Sequence, residues 1–66
     1  MKQIYTIEFD GLIVFDWQSE RDAIFYSLYS ARQCRHKIYN YYKIHFESFK
    51  NVKMKDFKIK TYERLE

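Results

Sequence analysis

Thiol, imidazole and carboxylate side chains are where catalysis or metal binding would begin, and this chain has few of the first two. Cys34 is its one cysteine, and His36 and His45 are its two histidines. Two residues apart on a helix, Cys34 and His36 diverge by about 200°, so they cannot share a proton or a metal ion. His36 and His45 again fall on opposite sides of a helix, and no Cys-x-x-Cys or His-x-x-x-His spacing occurs. Cys34 then reads as a small, partly buried apolar residue. Neither a metal nor a cofactor is expected.

The carboxylates Glu8, Asp10 and Asp16 lie near the N-terminus. A metal-dependent nuclease would need such acids gathered beside a lysine in a cleft, which a small sheet scarcely offers. Asp10 is better explained as a turn residue and Asp16 as the end of a strand. Gly11 is the only glycine, so there is no glycine-rich phosphate loop. With no triad, metal set or paired acid at useful spacing, the chain reads as a binding protein and not as an enzyme.

Two sets of residues could carry binding. Arg32, Arg35 and His36 stand at i, i+3 and i+4 and share a helix face that Tyr39 and Lys43 continue. Positive charge interleaved with tyrosine suits phosphate contact and base stacking, so Arg32, Arg35, Tyr39 and Lys43 form a candidate nucleic-acid site. A solvated helix face has the same composition. Lys58 and Lys60 would either extend that surface or guard a sheet edge. The second set, Ile4, Ile13, Phe15 and Trp17, forms an apolar face on an N-terminal hairpin. One helix covers one side of a small sheet, so this face is either a protein-binding surface or is wrapped by Tyr62, Leu65 or the helix itself.

The elements that must position these residues follow from the pattern. Lys2 to Phe9 and Leu12 to Trp17 flank Asp10-Gly11, the dipeptide suited to a type I′ turn, so a β-hairpin is expected. A two-residue loop would pair Phe9 with Leu12, Ile7 with Val14 and Tyr5 with Asp16. Ser19, followed by Glu20 and Asp22, resembles a helix N-terminus. The apolar stripe Ile24, Leu28, Ala31, Ile38, Tyr42, Phe46 and Phe49 predicts one long helix, with a break permitted, from about residue 20 to 50. Residues 38–46 also alternate as a strand would, but helix is favoured because no Gly, Pro or Asx-turn cluster precedes them. Lys55 to Tyr62 alternates as a closing strand. The expected fold is therefore a single α+β domain over residues 1–66, of order β-β-α-β, with an antiparallel sheet. A helix of that length, ~46 Å, would overhang strands of ~20 to 27 Å, and a homodimer is the expected cover.

Sixty-six residues, with six Phe, seven Tyr and one Trp, can close one compact core and little more. A lone cysteine and no signal-like start favour the cytoplasm, and no stretch approaches the ~20 apolar residues of a membrane span. The net charge of +3 is uneven: residues 1–20 carry one lysine against four acids, and residues 21–66 carry eleven cations against five acids. That split favours separate acidic and basic patches. Lys, Ile, Asn, Tyr and Phe supply 30 of the 66 residues, a bias toward A/T-rich codons that suits a low-GC bacterium or its phage. The leading expectation is a phage-encoded inhibitor that docks on a host or defence protein in the host cytoplasm; the alternative is a small nucleic-acid-binding protein.

Overall fold

The computed structural model describes residues 2–64, with side chains described for residues 3–63. The class is α+β: a four-stranded antiparallel sheet, a small two-stranded hairpin and one helix. Strand β1, Lys2–Phe9, runs through the middle of the sheet. Asp10 (φ 53°) and Gly11 (φ 80°) both take positive φ, as a type I′ turn demands, and return the chain into β2, Leu12–Ile13. The pairs Phe9↔Leu12 and Glu8↔Ile13 follow the register expected of a two-residue loop.

The hairpin does not continue to Trp17. At Val14 the chain leaves the sheet and makes a second hairpin, β3 (Phe15–Asp16) and β4 (Arg21–Asp22), before returning as β5 (Ile24–Phe25). Tyr5 therefore pairs with Phe25 and not with Asp16. At the junction three backbones close a ring of hydrogen bonds. Val14 N–H donates to Ile7 C=O (3.0 Å), Ala23 N–H to Val14 C=O (3.0 Å) and Ile7 N–H to Ala23 C=O (3.1 Å). All three residues are buried, so the junction satisfies polar groups that a simple departure from the sheet would strand.

The helix signature at Ser19 belongs instead to this second hairpin. Asp16 is buried, and its Oδ1 accepts from Gln18 N–H (3.1 Å) and Ser19 N–H (3.4 Å), an Asx turn that competes with helix initiation. Glu20 completes the reversal at φ 54°. The helix α1 begins later, at Leu28–His45, with Ser27 Oγ accepting from Ser30 N–H at 3.4 Å. Residues 38–45 are helical, as expected, but the helix stops before Asn51. Phe46 is extended, and Glu47–Phe49 form a 3-10 turn that swings Phe46 and Phe49 back onto Tyr42, with ring centroids 5.1 and 4.9 Å away. A second 3-10 turn, Met54–Asp56, leads into β6, Phe57–Arg64.

Strand β6 pairs with β1 along its whole length, from Lys2↔Arg64 to Phe9↔Phe57. A helix of 18 residues is about 27 Å long, the length of an eight-residue strand, so α1 matches its sheet. The overhang that called for a second chain is absent, because residues 19–27 went into the hairpin and β5. The core lies between α1 and the inner sheet face: Ile7, Val14, Ala23, Phe25 and Phe57 from the sheet, Ala31, Ile38 and Tyr39 from the helix. Among the described residues no helix is long and apolar enough to cross a membrane.

Candidate functional site

Leu28, Arg32 and Arg35 stand at helical spacing of four and three and line the flank of α1 that looks toward β6. Facing them are Ile59 and Thr61 of β6, with Lys55 from the preceding turn and Lys58 and Lys60 from the strand. Together they line a shallow groove of about 450 Å³. Five of the eight lining residues are cations and none is an acid. Five of the eleven cations of residues 21–66 are thus brought by the fold to one seam.

The strand in this groove also offers backbone donors. Both backbone groups of Ile7 point toward Val14 and Ala23, away from β6. Its partner Ile59 is therefore in a non-hydrogen-bonded pair. By the alternation of an antiparallel ladder, the N–H and C=O of Ile59 and Thr61 point outward from the sheet edge. Among the described residues β6 pairs only with β1.

The expected nucleic-acid set is thereby half assembled. Arg32 and Arg35 enter the groove and are joined there by Lys58 and Lys60, which the sequence reading allowed, and by Lys55, which it did not single out. Tyr39 goes elsewhere: it is 9% exposed, its ring meets Phe57 edge-on at 5.6 Å, and its hydroxyl donates to Val52 C=O at 2.7 Å. It is a core residue: although i+4 from Arg35 by count, it lies on the side of that face nearest the sheet and packs with Ile38 into the core. Lys43 is exposed, with its Nζ 5.7 Å from the Tyr39 ring centroid, and does not line the groove.

The apolar set separates into two surfaces. Phe15 and Trp17 leave the sheet with β3 and pack on the C-terminal end of α1. Their rings meet edge-on at 4.7 Å, and Trp17 stacks on Tyr41 at 6.3 Å and tilts against Phe46 at 5.9 Å. The Tyr42 hydroxyl accepts from Phe15 N–H (3.0 Å) and donates to Phe15 C=O (3.2 Å), which fastens the hairpin to the helix. Trp17 remains 45% exposed. Ile4 and Ile13 stay on the outer sheet face, and the cover expected from Leu65 lies outside the described residues.

That outer face is ordered by register. Tyr62 stands opposite Ile4, Lys60 opposite Thr6 and Lys58 opposite Glu8, while Ile24 and Ile13 flank Thr6 and Glu8 on the other side. The Tyr62 hydroxyl donates to Glu8 Oε2 at 2.6 Å, and the Thr6 hydroxyl donates to the same oxygen at 2.8 Å. The bonds from Tyr62 and then Thr6 hold the Glu8 carboxyl below its ordinary value of 4.5, with Lys60 acting in the same direction. Bonding to Glu8 raises the Tyr62 phenol above its ordinary 10.0.

A second groove, about 560 Å³, lies beside this face and mixes Glu8, Asp10 and Asp56 with Lys58 and Lys60. Among the described residues no three His, Cys, Asp or Glu side chains gather closely enough to hold a metal ion. Asp56 is tied into its own turn, accepting Lys53 N–H at 3.2 Å. Cys34 is half-buried against the core, and His36 hydrogen-bonds the Asn40 side chain at 3.1 Å. Comparison with known proteins adds no relative to this geometry: no family model, no curated protein and no solved structure matches the chain.

Proposed function

We propose that this chain is a non-catalytic nucleic-acid-binding protein that holds a phosphate backbone in the groove between α1 and β6. One observation carries the reading: five cations from a helix, a turn and a strand line one groove with no acid among them. Lysine and arginine there would displace condensed counterions, and the outward N–H groups of Ile59 and Thr61 are further donors for phosphate oxygens. Of the acids of residues 1–20, Asp16 and Glu20 lie in the second hairpin, while Glu8 and Asp10 face Lys58 and Lys60 from the neighbouring groove and not from this one.

The test is fluorescence anisotropy of labelled single-stranded and duplex oligonucleotides at ~50 and ~200 mM salt, where electrostatic binders lose orders of magnitude in affinity. Replacing Arg32 and Arg35 together by Glu should abolish binding and flatten the salt slope. Unchanged binding by that variant would remove the groove from the reading. A protein partner, such as the host or defence protein an inhibitor would block, is the second reading. It is favoured by half-exposed Trp17 and by Ile44, which is 76% exposed near the same end of α1. Ile44→Asp should abolish capture of such a partner while the far-UV circular dichroism stays native; retained capture would exclude this surface.

A further inference from the structure

Tyr62 reaches along the outer sheet face and not straight across it. Its register partner is Ile4, yet its hydroxyl bonds to Glu8, four residues further along β1 and about 14 Å from Ile4 along the backbone at a rise of 3.4 Å per residue. The phenol and the Glu8 side chain can meet over that separation only by extending toward each other along the strands, across the Lys60 and Thr6 row. Thr6 is 2% exposed beneath it, while Tyr62 keeps 45% of its own surface open. The side chain therefore runs along the sheet surface, tied down at its hydroxyl and with close to half of its surface open to solvent. Its hydroxyl bond to Glu8, which Thr6 also supports, fixes that pose.

The surroundings of the ring are asymmetric. Lys58 and Lys60 border it on the β6 side, and these two lysines also line the basic groove around the edge of the same strand. Ile24 and Ile13 border it on the β5 and β2 side, Ile24 half-buried and Ile13 42% exposed. A phosphate chain following β6 would thus have Lys58 and Lys60 beside it, with Tyr62 and two isoleucines lying inward on the same face. Glu8, the acid at the centre, is occupied by two hydroxyl donors.

From this juxtaposition we infer that Tyr62 is a stacking platform for an unpaired base, and that the ligand of the groove is single-stranded nucleic acid. The inference rests on the nucleic-acid reading of the α1/β6 groove and adds the strandedness and the base contact. Stacking on an exposed aromatic is open to any base, because every base has a π-face, so recognition here is of single strands and not of sequence. A duplex keeps its bases stacked on one another and cannot offer one to Tyr62.

The experiment uses the full chain and three labelled probes: a mixed-sequence single strand, the same sequence as a duplex, and heparin, a polyanion without bases. Tyr62→Leu keeps apolar bulk and Tyr62→Trp keeps an aromatic ring. Single-strand affinity should fall about tenfold or more in Tyr62→Leu and stay within about threefold in Tyr62→Trp, as expected for loss and retention of one stacked base. Heparin binding should be equal in all three proteins. In the unsubstituted protein, the Tyr62 ring proton resonances should move upfield as single strand is added. Equal single-strand binding by Tyr62→Leu, or no movement of those resonances on saturation, would overturn the platform while leaving the groove intact if Arg32→Glu with Arg35→Glu still abolishes binding. Failure of every probe at ~50 mM salt would overturn both readings. Capture of polyglutamate in preference to any oligonucleotide would replace them with an acidic protein partner.

Discussion

Glu8 is the acid at the centre of the open sheet face, and its two hydroxyl donors tie its ionisation to the packing of that face. Its carboxyl is held low by Tyr62 and Thr6, so its contribution to stability is present above the ordinary 4.5 and is lost as pH falls through the lowered folded value. Tyr62 is shifted the other way. Its contribution is complete below 10.0 and is lost as pH rises through the raised folded value. Because the Tyr62–Glu8 bond is the largest cause of both shifts, removing it should abolish the alkaline flank and weaken the acid one, which Thr6 and Lys60 still support. The difference in Tm between the wild-type chain and Tyr62→Phe should be constant from about pH 5 to 9 and shrink toward either extreme. A difference independent of pH on both flanks would show that the bond has no ionic character. At this same scale Tyr39 shows how spacing can mislead: i+4 from Arg35 is on the basic face by count, but the helix rotates it under Val52 and against Phe57.

The elements that decide the architecture are the two reversals. At the β1–β2 turn, Gly11 has φ +80°, and a Cβ there would meet nothing within 4 Å, so the cost of a side chain is conformational and not steric. Gly11→Ala should therefore destabilise by about 1 kcal/mol, lowering Tm by roughly 4 to 8 °C in a chain of this size. The second hairpin turns at Glu20, a non-glycine residue at φ 54°. Relief of its strain, less the extra freedom of a glycine in the unfolded chain, makes Glu20→Gly stabilising by roughly 0.5 kcal/mol. Thermal melts of the two variants should move in opposite directions. A fall in Tm for Glu20→Gly would mean that the Glu20 side chain makes a contact worth more than the strain. The three-way junction of Ile7, Val14 and Ala23 explains why the second hairpin can leave the sheet at all: each buried N–H and C=O that the departure would orphan is returned to a neighbour.

For the molecule as a whole, one aromatic cluster binds sheet, helix and turns together. Phe57 is fully buried and touches Phe9, Tyr39, Tyr42 and Phe49, with ring centroids 5.4 to 6.0 Å away. Truncating such a residue costs about 3 to 5 kcal/mol, and a domain this small holds little more than about 5. Phe57→Ala should leave a chain without near-UV circular dichroism at 25 °C and with a greatly reduced urea midpoint. A native spectrum and an unchanged midpoint would place the stabilising core elsewhere. The same cluster explains the short helix. Continuing α1 to residue 50 would carry Phe46 and Phe49 past the end of the sheet, whereas the turn at Phe46 brings both back to Tyr42.

By itself the sequence determined the local features with strong chemistry. Asp10-Gly11 dictated the type I′ turn and the register beside it, residues 38–45 were helical for want of any turn-forming cluster before them, and β6 followed from its alternation. These are short-range effects, set within a few residues by backbone sterics and side-chain period. Only the tertiary structure decided where the chain leaves the sheet and where the helix begins. Ser19-Glu20-Asp22 satisfies the rules for a helix start, and it lost because the buried Asp16 accepts the N–H groups of Gln18 and Ser19 first. The candidate site divides along the same line. Arg32 and Arg35 could be paired from helical spacing, but their meeting with Lys55, Lys58 and Lys60 required β6 to cross beside α1. Phe15 and Trp17 could be placed beside Ile4 and Ile13 only while the hairpin was taken to run on past Val14. The reclining pose of Tyr62 had no local signal at all, since it depends on a hydrogen bond to a residue 54 positions away.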